Sequence, residues 1–204
     1  MKSLHVFLIS GMTAALLGTS AGTTLAAPPL RPEPVTVPAP NDRFDAMLRA
    51  IDVVPPDRAS FEAAFPDAWA RLDAVARDAK RDTWSRVRAL SLLSYFVEPR
   101  TRATLEQVLA DADKDIRRQA IYTLGRGFGA SADVALVRFI EARTADPEQD
   151  VGEHALRSLR WVDHPEAKLA LERIAEKGPA TLRELARKTL DKRMLRLNGV
   201  PRGD

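Results

Sequence analysis

Beyond residue 41, apolar residues recur three and four positions apart, the spacing of one face of an α-helix, in a chain with few β-branched runs and much Ala, Leu, Arg and Asp. Four segments superimpose: SRVRALSLL (85–93), IRRQAIYTL (116–124), VGEHALRSL (151–159) and LRELARKTL (182–190). They align Ala89, Ala120, Ala155 and Ala186, each followed four residues later by Leu93, Leu124, Leu159 or Leu190, at spacings of 31, 35 and 31 residues. A second series, Leu72, Leu105, Leu136 and Leu171, has Val75, Val108, Phe139 or Ile174 three residues on, and supplies another helix to every period. Neither helix can bury its stripe alone. Two helices per period of roughly 30 residues predict hairpins that stack into an α-solenoid, each with a first helix A and a second helix B.

The segments after the aligned leucines, SYFVEPRTR (94–102), GRGFGASAD (125–133) and RWVDHPEAK (160–168), each join a B helix to the next A helix. Pro99 and Pro165 suit the start of a helix, and Gly125 or Gly127 suits a left-handed residue that ends one. The glycines are not read as a phosphate loop, which would need a preceding strand and a Lys-Ser or Lys-Thr pair. An Asp, a β-branched residue and an Arg opening a B helix, then Ala, Leu and a Gly- or Pro-bearing corner, resemble the bacterial HEAT-like repeats first associated with phycobilisome lyases. The resemblance covers residues 66–195 and implies an all-α fold, an α-solenoid of about four HEAT-like hairpins behind an N-terminal helical cap. It implies no lyase activity, because it lies in the repeat unit alone. Gly152 stands where the third repeat should carry arginine, and Thr181 where the fourth should carry aspartate.

The helical wheel places Arg86, Arg117 and Arg183 on the side of the aligned alanines, at the repeat junctions. Asp115 and Asp150 open the following B helices, so the expected ladder pairs Arg86 with Asp115 and Arg117 with Asp150. The opposite side of each B helix carries the residues two before, two after and six after the alanine: Val87, Ser91 and Tyr95; Arg118, Tyr122 and Arg126; Glu153, Arg157 and Trp161; Glu184, Lys188 and Lys192. Such a face lines the concave surface of a solenoid, and Tyr, Trp and Arg dominate binding hot spots. The expected partner site is therefore a groove with Tyr95, Arg118, Tyr122, Arg126, Arg157, Trp161, Lys188 and Lys192, suited to a protein or peptide.

The ends add location. Lys2, the apolar run Val6–Leu17 and the small residues before Ala26 have the order of a secretory signal cleaved after Ala26, giving an exported protein, periplasmic or secreted. Residues 27–40, APPLRPEPVTVPAP, hold six of the 14 prolines and read as an extended linker. Residues 41–65 read as a cap of two short helices, with Asn41 or Asp42 capping the first, residues 66–197 as the repeat domain, and 198–204 as a disordered tail. The chain has no cysteine, so its core alone must hold it. Its net charge of +3, which becomes +2 without Lys2, argues against a nucleic-acid partner. A basic run from Lys177 to Arg202 offers an alternative contact with anionic lipid or polysaccharide. His154 and His164 lack metal-ligand spacing, and no catalytic motif or cofactor site stands out, so the chain reads as a non-enzymatic scaffold.

Overall fold

The structure is a computed structural model that describes residues 40–50 and 57–199, all within the compact unit Pro38–Asp204. The expected signal (1–26), the linker up to residue 39 and the end of the tail (200–204) lie outside the described residues. Ten α-helices follow one another: α1 (Pro40–Arg49), α2 (Arg58–Ala64), α3 (Ala68–Arg77), α4 (Thr83–Leu92), α5 (Pro99–Val108), α6 (Lys114–Phe128), α7 (Val134–Ala142), α8 (Gln149–Ser158), α9 (Pro165–Lys177) and α10 (Ala180–Leu197). Among the described residues there is no strand. The protein is all-α, with the helices arranged as a solenoid.

Local chemistry sets the helix starts. The side chains of Asp57, Asp82, Asp113 and Asp133 accept backbone N–H groups from the first turns of α2, α4, α6 and α7. Proline opens α5 and α9, as expected, and the His164 Nδ1 accepts the Glu166 N–H at 3.1 Å. Short 3-10 turns extend α4, α6 and α8 into the corners that follow and α7 into its loop. The first helix begins at Pro40, one residue before Asn41.

The helices pack in two layers. The B helices α4, α6, α8 and α10 form one continuous row, while the A helices meet as α3 with α5 and α7 with α9. All four aligned alanines are fully buried, together with Leu93, Leu124, Leu159 and the A-helix leucines Leu72, Leu105, Leu136 and Leu171. Alanine recurs there because the B helices pack side by side at that level. Leu190 and Phe139 are only partly buried, and Ile140 takes the core position one residue after Phe139. At the start of the row, α1 packs on α4. Phe44, Phe61 and Phe65 meet edge to face, at 5.3 and 5.7 Å between centroids.

The glycine run is not a corner. Helix α6 continues through Gly125 and Gly127 to Phe128, and neither adopts a positive φ; among the described glycines only Gly199 does. Gly125 is needed for contact: a Cβ there would lie 2.8 Å from the Ser158 Cβ and 2.9 Å from the Ser158 carbonyl oxygen. At Gly129, one turn on, a Cβ would overlap the Trp161 carbonyl oxygen. These two glycines let α6 press against the end of α8, whereas Gly127 has nothing within 4 Å. Gly152 has a similar cause, because a Cβ would come 2.8 Å from the Thr144 carbonyl oxygen.

Candidate interaction groove

The solenoid has two edges, one formed by the loops from A to B and the other by the corners from B to A. The arginine ladder belongs to the first. Arg86 and Arg117 are both buried, as expected, but their acids are Asp111 and Asp146, four residues before the expected Asp115 and Asp150. Arg86 is paired with Asp111 and donates from Nε and Nη2 to the Ala76 carbonyl at the end of α3, at 3.2 and 3.1 Å. Arg117 grips Asp146 with two bonds of 3.0 and 2.9 Å and donates to the carbonyls of Asp111 and Ala112 at 2.9 and 3.0 Å. Asp111 and Asp146 precede their helices and accept the N–H of Asp113 and Glu148, at 2.9 and 3.0 Å. These local turns aim the carboxylates back at the arginine of the preceding repeat.

Burial pushes the Asp111 and Asp146 carboxyls up. The hydrogen bonds from Arg86 and Arg117, with those backbone N–H groups, outweigh it and hold both below the usual range. The guanidinium of Arg117 is raised in turn by its bonds to Asp146. Asp115 and Asp150 instead face the other side of the B row, where Arg118 bridges them at 2.9 and 3.3 Å. Arg183 is a further correction: it is exposed, and α10 is the last described helix, so no following A-to-B loop stands beside it. The ladder stops at Gly152, and the position that matches Asp111 and Asp146, nine residues before the aligned alanine, holds Lys177 at the end of α9, so both members of the third pair are missing together.

At the opposite edge the last helix is held differently. Arg193 is buried and donates to the His164 carbonyl at 3.0 Å, while Arg196 bonds the Arg160 carbonyl at 2.9 Å and pairs with Asp163. Desolvation lowers the Arg193 guanidinium from its ordinary value. The basic C-terminal segment is thus not one solvated face. Arg193 turns inward, Arg196 serves the corner, and Arg187 and Lys188 share Glu184 at 3.2 and 3.6 Å.

The B-helix face opposite the alanines gives the candidate groove. Tyr122 and Arg126 are exposed on α6, and the Arg126 guanidinium lies 5.0 Å from the Trp161 ring centroid at the end of α8. Arg160 packs on that ring as well, at 4.6 Å. Arg157 is bound to Glu153 at 2.7 Å. Lys188 and Lys192 are exposed on α10. Tyr95 packs against the core instead, with its ring 6.4 Å from that of buried Phe61 in α2, because the N-terminal helices fill the space beside the first corner.

Two residues on this face were missed by counting only two before, two after and six after the alanine. Trp84, five before Ala89, falls within about 40° of the direction opposite the alanine and is 50 % exposed. Leu195, nine after Ala186, falls opposite it and is 51 % exposed, because α10 runs past the point where the other B helices end. The sequence signal for both was an apolar residue in the polar sector of a helix.

No group of three or more His, Cys, Asp and Glu capable of holding a metal occurs among the described residues. His154 Nδ1 lies 2.8 Å from the Asp150 carbonyl oxygen within its own helix. None of the described helices is long and apolar enough to cross a membrane. Comparison with curated proteins gives no match. Residues 103–191, from the middle of α5 into α10, match the family model of HEAT repeats, which supports a HEAT-repeat family for this part of the solenoid.

Proposed function

We propose that the chain is an exported, non-enzymatic adaptor that binds a protein or peptide partner through the B-helix face. HEAT repeats commonly serve as protein-interaction scaffolds, and the match spans the B helices α6 and α8 and the first part of α10. The observation that carries the site is Tyr122, exposed beside the Arg126–Trp161 pair on the face that the core does not use. Amphipathic aromatics and arginine held on a rigid helical layer are the residue types that anchor partners. Export rests on the order of residues 1–26 and belongs to the same proposal.

Two measurements test it. Mass spectrometry of the protein isolated from its native cells should give an N-terminus at Ala27; a chain retaining residues 1–26 in the cytoplasm removes the export element. Cross-linked capture from the envelope fraction should retain a defined protein with the wild type and lose it with the double variant Arg118→Glu, Tyr122→Ala. Retention of the same set by both overturns the groove. Co-sedimentation with anionic vesicles, abolished by salt and indifferent to that variant, would instead assign the role to the basic C-terminal segment.

A further inference from the structure

The groove holds a lane with a definite chemistry. With the aligned alanines taken as level, Trp84 lies five residues below that line on α4 and Tyr122 two above it on α6. Trp161 lies six above in the 3-10 turn that follows α8, and Leu195 nine above on α10. With a rise of about 1.5 Å per residue and B helices about 9 Å apart, these four apolar groups climb diagonally across the row in steps of roughly 10–14 Å, over ~35 Å in all. An extended polyproline II chain advances about 3.1 Å per residue and returns a side chain to the same face at every third, so the lane fits roughly eleven residues with an apolar side chain at every third or fourth.

Charge decides what that segment carries between its apolar residues. Most groove cations are already neutralised on the protein: Arg118 by Asp115 and Asp150, Arg157 by Glu153, and Lys188 by Glu184. Arg126 and Lys192 flank the lane, are exposed, and have no carboxylate partner within salt-bridge distance among the described residues, against one exposed groove carboxylate in the same condition, Asp191. From this we infer that the occupant is an extended acidic segment of a protein, seated on Trp84, Tyr122, Trp161 and Leu195 with carboxylates toward Arg126 and Lys192. The inference rests on the groove reading above and narrows it to one partner chemistry.

The test is selection of random twelve-residue peptides displayed on phage against the full chain, run in parallel against the Trp84→Ala, Tyr122→Ala variant. An enriched peptide is then measured by fluorescence anisotropy against wild type and Arg126→Glu, Lys192→Glu. Circular-dichroism melts confirm that the variants remain folded, as substitutions at these exposed positions should. The expected result is acidic peptides with apolar residues at intervals of three or four, lost with the aromatic variant and weakened at least tenfold by charge reversal. Raising salt should weaken them as well. Neutral or basic peptides that depend on Trp84 and Tyr122 would overturn the acidic assignment and leave the groove standing. Peptides retained by the aromatic variant, or no enrichment, would overturn both.

Discussion

Arg117 concentrates much of the local energetics, because one guanidinium closes a bidentate pair and satisfies two loop carbonyls. Arg117→Ala leaves Asp146 buried without its partner and should destabilise the fold by about 3 kcal/mol, read as a lowered midpoint in urea. The ladder also makes stability depend on pH. The folded Asp111 and Asp146 carboxyls lie below their unfolded value, so the folded state binds fewer protons in acid. Their contribution is fully present above the unfolded carboxylate range, near pH 4, and is lost as pH falls through the folded values. An Asp146→Asn variant should lose stability at neutral pH and show a flatter acid limb than wild type. The presence of the ladder was legible in the sequence, because the wheel puts Arg86 and Arg117 on the buried side. The partner was not, since an arginine spans several ångströms and a loop carboxylate two residues before the cap competes with one in the first turn.

Helix α6 shows the same division at the scale of an element. The periodicity located it, along with its apolar face through Ile116, Ala120 and Leu124. Its end was misplaced because glycine is both a helix terminator and the residue that permits close helix contact, and only the neighbour decides between them. The two roles give opposite predictions within one motif. Gly125→Ala gains helix propensity but drives a methyl into Ser158, and should lower stability by roughly 1–2 kcal/mol. Gly127→Ala meets nothing within 4 Å and should raise it by about 0.5–1 kcal/mol. Thermal melts of the two single variants shifting in opposite directions are the expected outcome; shifts of the same sign would refute the contact argument.

Across the whole molecule, stability should follow position in the row, since each repeat contacts only its neighbours. Helix α6 packs against α4, α5 and α8, whereas α10 has a neighbouring B helix on one side only. Amide hydrogen exchange should therefore be slowest in α6 and faster in α10, and uniform protection would argue against nearest-neighbour stacking. The solenoid itself was legible because repetition multiplies a weak helical signal four times. The groove was legible only in part. Tyr95 was lost to the N-terminal phenylalanines, a contact between segments that share no repeat, and Trp84 and Leu195 stand outside the counted positions.

The two fastenings of the B row also make it a spring clamped at different ends. Arg86 and Arg117 tie the first three repeats along the loop edge, while Arg193 and Arg196 tie α10 along the corner edge. The N-terminal half of α10, with exposed Arg183 and Glu184, lacks the clamp that its predecessors have. The N-terminal turns of α10 should therefore exchange their amides faster than its C-terminal turns, which Arg193 and Arg196 hold to the corner. Lys192 and Leu195 lie on the held C-terminal half of α10, so the groove residues there keep a fixed register with the corner beneath them.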